Sequence, residues 1–402
     1  MVRITNGMII TEERLLTGHD LYICDGRIAC IIPSDESFNC NVHGYALCPE
    51  QKDFQTIDAG GKWIMPGLID VHSDFIEQML APRPGVLIDP LLSLRFAEQT
   101  LISYGITTIY HSLAIFESGL LARPARTVEN VWKMIEAIHT YTSRPTLIRH
   151  KVHLRLEIDH VDVIPKLLQT MDQGQIDLLS FMDHTPGQGQ YRNLEAYVKL
   201  VQSYGRASRE AIEHHLQTQH TKERLSLKSL SELARYATQK NIPLASHDDD
   251  TLDKIALSHS FGAVISEFPM TLDVAQKARE LGLYTLFGAP NALVGRSHNG
   301  NLSVREAACH RLVDILCSDY YPPALLTALF VLHAHCGLPL NEVVKWATLN
   351  PARALSLHET LGSIAPGKWA DLIIVEQSTT GPIVTHAFVG GALIHVQSYK
   401  QH

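Results

Sequence analysis

Apolar and polar positions fall into two textures along the chain. Through the middle, short apolar runs alternate with stretches whose apolar residues recur at helical spacing. The runs at 68–73, 106–113, 151–157, 177–183, 242–246, 263–267, 283–287 and 314–318 are bounded by turn-forming residues, so they predict buried strands. Between them Val128, Val131, Trp132, Ile135 and Ile138 line one helical face, as do Leu227, Leu230, Leu233, Ala234 and Ala237. Eight strands alternating with helices predict an α/β chain folded as a (β/α)8 TIM-like barrel. The stretch at about 190–240 is longer than one crossover requires and rich in His, Gln, Glu and Lys, so it is expected to be a helical insertion, a candidate lid.

Both ends of the chain read differently. Residues 1–63 carry short runs of β character separated by turn signals such as Asp25-Gly26 and Gly60-Gly61. Residues 356–402 have the same texture, from Asp371–Val375 through Ala392–Val396. Neither end could bury a core alone, so the two are expected to build one small β-sandwich around the 64–355 barrel.

Composition narrows the function. With 402 residues, 45% hydrophobic and 19% charged, the chain is ordinary globular protein. A net charge of −8 without a basic patch argues against nucleic-acid binding. No apolar run approaches membrane-spanning length, and the first residues lack a secretory pattern. The seven cysteines are odd in number, with no Cys-x-x-Cys pair, which predicts free thiols and a cytoplasmic protein.

Polar residues at the strand ends carry the chemistry. The run from Gly67 to Val71 ends in His72-Ser-Asp74, and residues two apart on a strand point the same way. Alone, such a pair is more often incidental than a metal site. It gains weight from Glu157, His184, His247 and Asp319, which stand at the ends of later strands, where barrel enzymes keep their catalytic groups. Three histidines and three carboxylates suit two divalent metal ions, with Zn, Mn, Fe or Mg all compatible.

These residues, with the split β-domain and the closing Gly362-Ser-Ile-Ala-Pro-Gly-Lys-Trp-Ala-Asp-Leu372, resemble the amidohydrolase superfamily over nearly the whole chain. The first-strand motif is His-x-Asp where most members have His-x-His. The bridging position, often a carboxylated lysine on the fourth strand, corresponds here to Glu157, which the strand count puts on the third.

A narrower resemblance fits those departures. Ala81-Pro-Arg-Pro-Gly85, Met182-Asp-His-Thr-Pro-Gly-Gln188, Ser246-His-Asp-Asp249, Ser266-Glu-Phe-Pro269, Gly288-Ala-Pro-Asn291 and Ser297-His-Asn-Gly-Asn301 are similar to the α-D-ribose 1-methylphosphonate 5-triphosphate diphosphatases of the carbon–phosphorus lyase pathway. That resemblance implies hydrolysis of a phosphorylated sugar phosphonate at its α-phosphorus, giving the 5-phosphate and pyrophosphate. On physical grounds Asp319 is expected to serve as both metal ligand and general base, and Arg83, Arg296, Ser297 and His298 are candidates for holding phosphate or phosphonate oxygens. The acidic run containing Asp248 and Asp249 is either a binder of a cation on the polyphosphate or a solvated turn. Gly189 and Val294 stand where matching enzymes often carry arginine, and Arg296 where they carry glycine. The alternative is an amidohydrolase acting on a C–N bond, a cyclic amidase or deacetylase. No nucleic-acid or membrane partner is expected, and a homo-oligomer is possible.

Overall fold

In the computed structural model, the described residues are 1–36, 54–116, 123–183, 222–295 and 301–399, with isolated positions at 195, 198, 201, 208, 210 and 212. The eight expected strands all form, each within two residues of the expected bounds. They are Leu68–Ser73, Ile106–Ile115, Arg149–Glu157, Leu178–Met182, Leu244–His247, Ala263–Glu267, Tyr284–Gly288 and Ile315–Cys317. Each pairs in parallel with the next in sequence. The eighth returns to the first: Ser73 bridges Asp319, Asp319 N donates to His72 O at 3.0 Å and Asp74 N donates to Asp319 O at 2.7 Å. This is the (β/α)8 barrel.

Helices form where the apolar spacing places them. Val128–Thr142 buries Val131, Ile135 and Ile138, and Leu227–Gln239 buries Leu230, Leu233, Ala234 and Ala237, while Leu227 itself is exposed at the first turn. Thr127, Ser226, Thr251 and Thr271 each accept a hydrogen bond from the backbone N–H three residues on, caps worth about 1 kcal/mol apiece. The last of the expected insertion, Leu227–Gln239, therefore belongs to the helical ring. Most of the remainder lies outside the described residues.

The barrel interior explains where the site sits. Ile69, Val71, Tyr110, Leu178, Ala245, Ile265, Leu286 and Ile315 form one buried cluster, with Ala352, Ala354, Leu355 and Leu361 below them. Seven of the eight strands contribute an apolar side chain to it, and the third does not. That strand instead carries His153, Arg155 and Glu157 on the alternate face from Leu154 and Leu156, all three nearly fully buried.

Strands from both chain ends build the flanking sandwich. One sheet runs Arg27–Pro33, His19–Cys24, Val2–Thr5, Gln55–Asp58. In the other, Trp63–Pro66 lies parallel to Met8–Ile10 and antiparallel to Leu372–Ser378. Ile4, Leu21, Ile28, Ile64, Leu372 and Phe388 pack between the sheets. Gly67 alone separates the sandwich strand ending at Pro66 from the barrel strand beginning at Leu68. A Cβ there would sit 2.4–2.9 Å from the Thr107 side chain, so only glycine passes.

One expectation fails. Cys309 and Cys336 are paired as a disulfide, their Cα atoms 5.1 Å apart, whereas Cys30 and Cys317 are free and buried. The partners are separated by 27 residues and lie at the ends of two helices, so no local spacing marked them. No helix among the described residues is long and apolar enough to cross a membrane.

Candidate active site

A cavity of about 330 Å³ opens at the carboxyl ends of the barrel strands. His72, Asp74, Glu157, His247, Asp248 and Asp319 line it, so six of the residues singled out from sequence come together. Asp249 does not: it is fully buried and accepts hydrogen bonds from the Ser246 and Ser266 hydroxyls, bracing two neighbouring strands. Arg83 is exposed on a turn outside the cavity lining. His184, Arg296, Ser297 and His298 lie outside the described residues, as does Gly189, while Val294 is half exposed at the end of the helix Ala289–Val294.

Backbone geometry aims several of these groups. Asp248, Phe268 and Asp319, each just past a barrel strand, have φ of 51°, 56° and 57°. For non-glycine residues this left-handed region costs about 1–3 kcal/mol, and such strain concentrates at functional sites. At Asp248 the turn is held by Lys254, whose Nζ donates to the carbonyls of His247 and Asp248. At Asp319 it is held by the hydrogen bonds that close the barrel.

Electrostatics divides the site. His72 is fully buried, and burial, followed by the Arg155 charge, lowers its pKa to about 3, leaving a neutral imidazole at pH 7. Asp319 is pushed up to about 7 by burial and then by Asp74. Asp74 goes the other way: burial alone would raise it, but Arg126 and Arg155 outweigh that and hold it at about 2. Arg126 Nη2 lies 2.7 Å from Asp74 Oδ2, and Arg155 Nη1 lies 3.1 Å from Asp74 Oδ1.

Sequence reading missed several participants. Glu267, buried at the end of the sixth strand, has its carboxylate 3.1 Å from both His72 Nδ1 and His247 Nδ1. His153 is buried below them, with Ser112 Oγ 3.1 Å from its Nδ1 and Ser180 Oγ 2.7 Å from its Nε2. Arg155 reaches His247 Nε2 at 3.0 Å, and its Nε is buried without an acceptor among the described residues. Arg123 and Arg126 also line the cavity, both tied to Glu77. The alternation His153-x-Arg155-x-Glu157 was a readable signal, since it puts all three on one face of a buried strand.

The donor set fits a divalent metal. His72, His153 and Glu267 offer ligand atoms within 4.8 Å of one another, and neutral imidazoles beside buried carboxylates are what such an ion requires.

The barrel, its split sandwich and this ring of strand-end imidazoles and carboxylates define a hydrolase class. Residues 63–394 match the Amidohydrolase family, and the chain belongs to it. The chain is 34% identical to the α-D-ribose 1-methylphosphonate 5-triphosphate diphosphatase of Escherichia coli strain K12, over 96% of this chain and 98% of that protein. It is 22% identical to the imidazolonepropionase of Symbiobacterium thermophilum, over 96% and 90% of the two chains. Among solved structures, molinate hydrolase superposes with a TM-score of 0.66 at 15% identity, covering 98% of this chain and 94% of the other. The N-acetylglucosamine-6-phosphate deacetylase of Pasteurella multocida gives 0.63 at 13%, covering 98% and 100%. These last two likenesses concern the fold.

Proposed function

We propose that the chain is a metal-dependent hydrolase that cleaves α-D-ribose 1-methylphosphonate 5-triphosphate at the α-phosphorus, releasing pyrophosphate and the sugar 5-phosphate. The observation that carries this reading is the union of a metal-compatible donor set with Arg123, Arg126 and Arg155 in one cavity. Arg126 and Arg155 are paired with Asp74 and Glu77, but the half-exposed Arg123, on Glu77 at 3.5 Å, has N–H groups to spare for the oxygens of a triphosphate, which an electroneutral cyclic amide would not engage. The 34%-identical relative of that name supports the same choice.

His72 with His153 and Glu267, and Asp74, Glu157, His247 and Asp319 at the cavity wall, would hold one or two divalent ions, with His184 as a further donor by sequence. A bound divalent ion supplies Lewis-acid polarisation and lowers the pKa of water. The Asp319 carboxylate stands at the cavity wall to take the proton from the attacking water, and a pKa raised to about 7 suits a base near neutrality. Arg155 holds Asp74 and His247 at the cavity wall, and Arg123, half exposed, meets the outer phosphates. Phe116, Phe268 and Phe287 line the same cavity and limit water around the reacting group.

Hydrolysis of the triphosphate in ¹⁸O-water tests the bond broken. Label in the sugar 5-phosphate, with unlabelled pyrophosphate, is the expected outcome. Label in pyrophosphate or release of orthophosphate rejects attack at the α-phosphorus. Inertness toward triphosphates with turnover of a cyclic amide or an N-acetyl compound assigns the chain to C–N hydrolysis instead.

A further inference from the structure

We infer that Cys309, His335 and Cys336 form a second metal site, apart from the barrel cavity, that takes a soft divalent ion such as zinc once the Cys309–Cys336 bond is reduced. The ligand atoms, two sulfurs and one ring nitrogen, all lie within 4.8 Å of one another. Cys309 ends the helix Val304–Cys309, and His335 and Cys336 end the helix Ala324–Cys336. None of the three lines the cavity, so the site does not depend on the catalytic reading.

The donor chemistry is selective. A disulfide needs two sulfurs and has no use for an imidazole, yet His335 brings a ring nitrogen to both. Two thiolates and an imidazole select zinc and softer ions over magnesium or calcium. Zinc takes four ligands, so three from the protein leave one position for water, which reaches it because Cys309 and His335 are exposed. The place also suits a cation. His335 and Cys336 lie in the last turn of a 13-residue helix, whose terminal carbonyls carry partial negative charge.

Reduction opens the site. Exposed disulfides are the labile kind, and Cys309 is exposed whereas the free Cys30 and Cys317 are buried. A dithiol reductant gives two electrons and two protons to the Cys309–Cys336 bond and closes to a disulfide itself. The two thiols then lose their protons to solvent as the ion binds, leaving two thiolates and a neutral imidazole around M²⁺. Two tetrahedral zinc–sulfur bonds hold their sulfurs about 3.8 Å apart. With the Cα atoms 5.1 Å apart, side-chain rotation provides that separation. One pair of sulfurs cannot serve both states, so the oxidised protein is expected to ignore the ion.

The test titrates full-length protein with cadmium, whose bonds to thiolates absorb in the ultraviolet. Protein stripped of metal by chelation is compared in its oxidised form and after reduction with a phosphine. A charge-transfer band that saturates at one equivalent is expected in the reduced protein alone, and added zinc should erase it. Cys309→Ser and Cys336→Ser should each abolish the band, and His335→Ala should weaken affinity at least about 10-fold, the least that even a second-layer partner is worth. No band in the reduced native protein overturns the inference, as does a band that survives both cysteine substitutions. Unchanged affinity in His335→Ala overturns the three-residue site. Unfolding on reduction alone makes the bond purely structural and overturns it too. An ion in the barrel cavity, held by nitrogen and oxygen, gives no thiolate band, so failure here leaves the proposed function standing.

Discussion

Asp319 sits on a left-handed residue in the stitch between the eighth and first strands, with its carboxyl held near neutrality by burial. Asp319→Asn keeps shape and size, so the fold should persist while kcat falls about 10²–10⁴-fold if the group takes a proton. A change confined to KM would make it a substrate contact. The strand-end residues were legible because each follows an apolar run, and such ends gather in a barrel. Glu267 was not, although it too ends a strand, because its meaning depends on two histidines 20 and 195 residues away in sequence. Arg126 was equally silent: it lies in the short helical turn Pro124–Arg126, which no periodicity announces, yet it reaches both Asp74 and Glu77.

At the scale of elements, the strands were readable because a buried parallel strand is continuously apolar, and the helices because one face must be. What periodicity hides is polarity inside those layers. His111 on the second strand contacts His150 on the third at 2.9 Å. His150 in turn lies 3.3 Å from Glu98 of the helix Pro90–Ser103, which also accepts from Tyr141. All of this lies behind the barrel, away from the cavity. Burial, with His150 adding to it, holds the His111 pKa well below 6.5. Since the folded pKa is depressed, its contribution is full above the unfolded value and is lost as pH falls below about 6.5. The loss approaches roughly 1.4 kcal/mol per pH unit for one proton. His111→Gln, which does not titrate, should flatten the decline of Tm between pH 6.5 and 5. Parallel curves for the two proteins would show that the proton is taken up elsewhere.

Across the whole molecule, the sandwich and the barrel share apolar packing. Ile10, Met65, Ile373, Val375, Val384 and Ala387 of the sandwich pack in the same cluster as Leu68, Leu101 and Ile106 of the barrel. A core without a seam should melt as one unit. Calorimetry is expected to give a single transition with equal calorimetric and van't Hoff enthalpies, and two resolved peaks would mean the parts unfold separately. The pairing of the chain ends was inferable from their shared texture and insufficient size. Which strands would become neighbours was not, since Trp63–Pro66 meets Leu372–Ser378 across some three hundred residues of intervening chain.

The single-residue passage at Gly67 carries this unity into ancestry. His72 stands five residues beyond it, on the strand that continues the sandwich, and Gly67 N is itself tied to Asp371 O at 2.8 Å. The sandwich is thus no detachable module with a slack tether. A chimera that exchanges it between relatives must take the first barrel strand along with it, so that His72 and Asp74 travel with the sandwich while Glu157, His247 and Asp319 stay behind.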